Sequence, residues 1–111
     1  MKECVAELPY YAVIFSSLRH DPAEGYAEMA EKMLALAAEQ DGFLHVESVR
    51  DASGFGITVS YWRDPAAISR WKQQLEHLQA QQLGREKWYA HYRVQVCKVE
   101  RAYGFEAITD I

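Results

Sequence analysis

Two indoles and an imidazole stand close together past the middle of the chain: Trp62, Trp71 and His77. Each type has a chemical use. An indole gives a flat apolar wall and one N–H donor. An imidazole moves protons near neutral pH. Trp71 therefore reads as a pocket wall, a redox-active ring or a core indole. His77 lies off the apolar stripe of its segment and reads as a proton carrier or an exposed, capping residue. Trp62 ends a strand and reads as a lid over the sheet edge or a wall for a ligand. Phe15 and Tyr61 are further candidate walls. His45 is a second imidazole, and Glu47, two residues on, shares its face of a strand. A metal would need a third ligand there, and none stands at a recognisable spacing, so no metal site is expected.

Other chemistries lack their residues. No Gly-rich loop opens a helix, and Gly54-Phe55-Gly56 is hairpin chemistry. No GxSxG elbow is present, and Ser16-Ser17 has no evident base, so hydrolysis has no support.

The elements that must position these residues are legible as patterns. Tyr11 to Leu18 is rich in β-branched and aromatic residues and predicts a first strand. Asp21-Pro22-Ala23-Glu24 is a helix start, with the cap, the first-turn proline and the acid in place. Apolar residues then recur at helical spacing from Tyr26 to Ala37, and Gly42 follows the helix end. Phe43 to Arg50 predicts a second strand, and Asp51-Ala52-Ser53-Gly54 a tight hairpin. The third strand alternates from Phe55 to Trp62. Asp64-Pro65 opens a second helix, with Ile68, Trp71, Leu75 and Leu78 along one face. A further helical turn is expected over residues 85–90, and Tyr92 to Val99 predicts the last strand. Trp88, Tyr89 and Tyr92 read as interface packing.

This order is strand, helix, strand, strand, helix, strand: a ferredoxin-like α+β fold with a four-stranded antiparallel sheet. The chain is expected to be one domain over residues 1–111, with its core over about 10–105. Ile57, Val59 and Tyr61, with Val13 and Phe15, are expected to face the helices. Thr58, Ser60 and Trp62 would then lie on the open face, where a second copy could cover them.

The chain has 111 residues, of which 50% are hydrophobic and 13% aromatic, which points to a core plus an interface or a ring-binding pocket. The formal net charge is −4 with no Lys/Arg cluster, which argues against nucleic acid. No apolar run has the length of a membrane span or a signal peptide. Cys4 and Cys97 form no CxxC, which predicts reduced thiols in the cytoplasm. Cys97 is expected to be a small buried residue.

The ending Tyr61-Trp62-Arg63-Asp64-Pro65, the Trp62-to-Trp71 spacing, Glu76-His77 and the run Leu83-Gly84-Arg85-Glu86-Lys87-Trp88-Tyr89 together resemble the antibiotic biosynthesis monooxygenase domains. The resemblance extends over roughly Tyr10 to Phe105. It implies a dimeric α+β barrel, a homodimer in which each sheet forms half of the barrel. It also implies small oxygenases that use no flavin, metal or prosthetic group, because an electron-rich substrate reduces dioxygen itself. The expected activity is cofactor-independent oxidation of a small aromatic or quinol-like compound. Trp71 and His77 would be the catalytic residues, with Phe15, Tyr61, Trp62 and His45 at the substrate. The alternative is a non-catalytic, ligand-binding or stress-related dimer on the same fold. The haem-degrading branch combines a Trp with a His ten residues on and an Asn on the first strand. Trp71 matches, but Gln81 stands in place of the His and the chain has no Asn, so haem degradation is not expected.

Overall fold

The computed structural model describes residues 6–19, 26–81 and 89–106, with side chains of the second helix described as far as His77. The elements are β1 (Tyr10–Arg19), α1 (Tyr26–Ala38), β2 (Phe43–Arg50), β3 (Phe55–Trp62), α2 (Pro65–Gln81) and β4 (Tyr89–Val99). The strands form one antiparallel sheet in the order β2-β3-β1-β4. This is the expected ferredoxin-like βαββαβ fold. No helix among the described residues is long and apolar enough to cross a membrane.

The boundaries follow local chemistry. Gly42 takes φ +96° after α1, a conformation that costs an L side chain about 1–2 kcal/mol. Its carbonyl accepts the Arg63 N–H at 2.7 Å, which ties the α1–β2 turn to the end of β3. In the hairpin, Asp51 Oδ1 accepts the N–H groups of Ser53 at 2.9 Å and Phe55 at 3.1 Å. At α2, Asp64 Oδ1 accepts the Ala67 N–H at 2.8 Å while Pro65 opens the helix. The helix start expected at Asp21-Pro22 lies outside the described residues, as do Trp88 and most of the turn expected over 85–90. Tyr89 and Ala90 of that turn belong instead to β4, which begins earlier than expected. A register shift at Leu18/Arg19 lets Tyr89 pair with Arg19.

On β3 the faces are the reverse of the expectation, while Val13 and Phe15 of β1 face the helices as expected. Val13 pairs with Ser60, and Ile14 with Val59, so Val13 and Val59 point to opposite sides. The helices cover Val13, Ser60 and Trp62, with Phe43 beside them. The open face carries Phe55, Ile57, Val59 and Tyr61. The cause is Trp62, whose indole holds the largest apolar area on the strand and whose one polar atom is satisfied by its neighbour Ser60. Small residues opposite the helices make room; they do not mark the solvent side. Cys97 is exposed rather than buried, because β4 is an edge strand with little laid over it.

The core has two parts. Val13, Ala37, Trp62, Ala67 and Ile68 form one, with Tyr11, Phe43 and Trp71 against it. Met29 and Tyr89 form the other, with Phe15, Tyr26 and Met33.

A Cβ at Gly42 would lie 2.7 Å from the Ala67 Cβ, so Gly42→Ala meets both backbone strain and the start of α2. It should lower the unfolding free energy by about 2 kcal/mol in a urea titration. Asp41, Asp51 and Asp64 are held below the usual carboxylate value by Arg63, by the Ser53 hydroxyl and by the Ala67 N–H respectively. The unfolded chain therefore binds more protons in acid, and their stabilisation is lost as pH falls below about 4. Melting temperature should drop across that window, and Asp64→Asn should flatten the drop.

Candidate functional site

The helix-covered face of the sheet is a row of paired side chains. Tyr11 stands opposite Trp62, Val13 opposite Ser60, Phe15 opposite Thr58 and Ser17 opposite Gly56. One end of the row is built on indoles and the other on phenols. The six residues from Tyr11 to Ser17 put the ends roughly 20 Å apart along the strand.

At the indole end Trp62 is fully buried. Its Nε1–H donates to Ser60 Oγ at 2.9 Å. Trp71 stacks on it with ring centroids 4.9 Å apart and planes at 29°, and Phe43 meets its edge at 5.4 Å. Trp71 Nε1 is buried with no hydrogen-bond partner among the described residues. A buried donor left unmade costs about 1–3 kcal/mol, and native proteins keep few of them.

At the phenol end Phe15 lies 5.4 Å from Tyr89 and 5.5 Å from Tyr92, and Tyr26 meets Tyr89 edge-on at 5.8 Å. Arg50 reaches in from β2. Its Nη2 donates to Ser17 Oγ at 2.9 Å and to Tyr26 Oη at 2.8 Å, and its Nη1 donates to the Gly54 carbonyl. Gly56 makes this possible, since a Cβ there would come within 2.7 Å of the guanidinium carbon. Burial, followed by the charge and hydrogen-bond coupling to Tyr26, raises the Tyr89 hydroxyl far above the ordinary tyrosine range.

Trp62 and Trp71 are brought together; the other expected site residues are dispersed. Phe15 belongs to the phenol end. Tyr61 lies on the open face and so cannot wall the same space as Trp62, because neighbours on a strand point to opposite sides. There Tyr61 stacks on His45 at 6.1 Å and donates to Glu47 Oε1 at 3.3 Å. His77 is exposed and lines an outer groove of about 570 Å³ between α1 and α2, with Lys32, Leu36, Glu39 and Gln74. Among the described residues no three His, Cys, Asp or Glu side chains converge on a metal position. Sequence reading missed Arg50, Tyr26 and Tyr89. The signal available was Gly56, a strand glycine, which marks a close approach.

The model of the antibiotic biosynthesis monooxygenase family matches residues 9–83. The uncharacterized protein YqjZ of Bacillus subtilis is 53% identical over 104 residues, covering 94% of this chain and 91% of that protein. Jasmonate monooxygenase ABM of Pyricularia oryzae is 32% identical over 95 residues, covering 80% of this chain but 43% of that protein. Among solved structures, SnoaB, a cofactor-independent oxygenase from Streptomyces nogalater, superposes with a TM-score of 0.63 at 13% identity, over 89% of this chain and 99% of that one. NE2512 of Nitrosomonas europaea, a protein of unknown function, gives a TM-score of 0.70 at 10% identity, over 92% and 100% of the two chains. At these identities the structural likeness speaks for the fold.

Proposed function

Because the chain belongs to the antibiotic biosynthesis monooxygenase family, we propose that it is a monooxygenase without a cofactor, oxidising a small aromatic or quinol-like compound with dioxygen. The observation that carries this reading is the unpartnered Trp71 Nε1–H, held against the Trp62 ring in an aromatic wall. An anthrone illustrates the chemistry. Its methylene loses a proton to water, and the resulting anion delocalises onto the ring oxygen. Trp71 Nε1–H donates to that oxygen, which stabilises the charge as it develops. The electron-rich anion reduces dioxygen, a carbon–oxygen bond forms, and loss of water leaves a carbonyl. The CH₂ group and O₂ become C=O and H₂O, so one oxygen atom enters the product and the other leaves as water. His77, on the outer groove, has no part in this step.

The protein works as a homodimer in this reading. Val49, Phe55 and Ile57 on the open face are exposed, and a second sheet would cover them. The close Trp62–Trp71 stack favours a second reading, a binding dimer without catalysis. Oxygen uptake separates the two.

Purified, chelator-treated protein should consume dioxygen with at least one member of a panel of anthrones and quinols. Trp71→Phe should keep the ring stack and lower kcat tenfold or more. Its melting temperature should stay level or rise, since the unpaired donor is removed. No uptake across the panel, or full activity in Trp71→Phe, would sink the assignment.

A further inference from the structure

Trp71 is placed by the ring it stacks on. That ring is Trp62, 4.9 Å away centre to centre, with the planes at 29°. Trp62 is fully buried, and its Nε1–H donates to Ser60 Oγ at 2.9 Å. Ser60 is itself buried, at 3% exposure. It stands two residues back on the same side of β3, opposite Val13. Val13, Ala37, Ala67 and Ile68 share the core cluster with Trp62 and carry no side-chain acceptor.

An indole turns about its Cβ–Cγ bond between two broad orientations. In one of them the Trp62 N–H meets Ser60. In the other it points away from Ser60, among the apolar side chains of the cluster. A buried donor left unmade costs its full desolvation, which weights the two orientations by roughly 5- to 150-fold. The Ser60 oxygen therefore acts as a key for the ring. Turning the ring carries its six-membered half from one side of the Cβ–Cγ bond to the other, and Trp71, stacked on it, must follow. A displacement of about 1 Å in a group that acts on a transition state can cost about a hundredfold in rate.

We infer that Ser60 is a positioning residue: its oxygen selects the Trp62 ring orientation on which Trp71 stacks, and so places the Trp71 donor. The catalytic part of this assignment rests on the role proposed above for Trp71. Ser60 touches neither substrate nor dioxygen in it and acts only through the indole pair.

The pair reports on its own geometry. Two indoles this close couple their strong ultraviolet transitions, which gives a positive and a negative band side by side in circular dichroism. Trp62→Phe and Trp71→Phe should each abolish that pair of bands in the full chain, which assigns it. Ser60→Ala should reduce it by about half or more, because the Trp62 donor no longer selects one orientation. Ser60→Thr, which keeps the oxygen, should retain it. If Thr is too crowded beside Val13 to fold, Ser60→Cys takes its place, with a weaker acceptor and a partial loss. With anthrone and dioxygen, Ser60→Ala should lower kcat about tenfold or more and leave KM within about twofold. It should lower kcat no further when Trp71 is already Phe. Bands unchanged in Ser60→Ala would overturn the inference. So would a level kcat after the bands are lost, or a loss of kcat that persists in the Trp71→Phe background, as a structural role alone would give. No oxygen uptake by the native protein would sink the monooxygenase assignment, while the bands still decide whether Ser60 sets the pair.

Discussion

The fold depends on the complete burial of Trp62. An indole removed from water contributes one of the largest apolar terms available to a small domain, but its N–H must then find an acceptor. Ser60, two residues back on the same side of the strand, supplies it. That local solution decides which face of β3 the helices cover. It also sets where α2 begins. Asp64 caps the helix two residues after Trp62, and one side of α2 then brings Ile68 and Trp71 onto the indole. Arg63 between them holds Asp41 and donates its N–H to the Gly42 carbonyl, so both helix connections meet at this corner.

The same constraint explains the asymmetry of the site. Trp62 spends its donor within the chain; Trp71, stacked on it, does not. Two indoles packed this closely leave little polar surface nearby, and among the described residues the second N–H has no acceptor. The phenol end solves its polar problem differently. Arg50 crosses over Gly56 and ties the end of β2 to Ser17 of β1, Tyr26 of α1 and the hairpin carbonyl of Gly54. One face of one sheet thus holds an indole end whose second donor has no partner among the described residues and a phenol end tied together by Arg50.

The opposite face is apolar in its centre, with His45, Tyr61 and Glu47 at one side in a small polar and aromatic group. Tyr103 and Phe105, past β4, are almost wholly exposed at 92% and 90%. A 111-residue chain that leaves this much apolar surface in water is short of interior, a shortage that the proposed homodimer would relieve.

The sequence by itself determined the elements and their order. Asp64-Pro65, Gly42 and Asp51 to Gly54 act within a few residues of themselves, so their effect is readable in place. It also determined that β3 has two chemically different faces, because alternation is a local property. It did not determine which face is inside. That choice rests on Trp62 meeting Trp71 and Phe43, and on Val13 lying opposite Ser60, contacts between strands and helices far apart in the chain. The Arg50 network is of the same kind: its partners stand 24 and 33 residues away, and only the sheet register brings them together. Whether a donor is left unpaired is decided last, since it depends on every group packed around it. Trp71 was visible as an indole on a helix; its free N–H exists only in the folded chain.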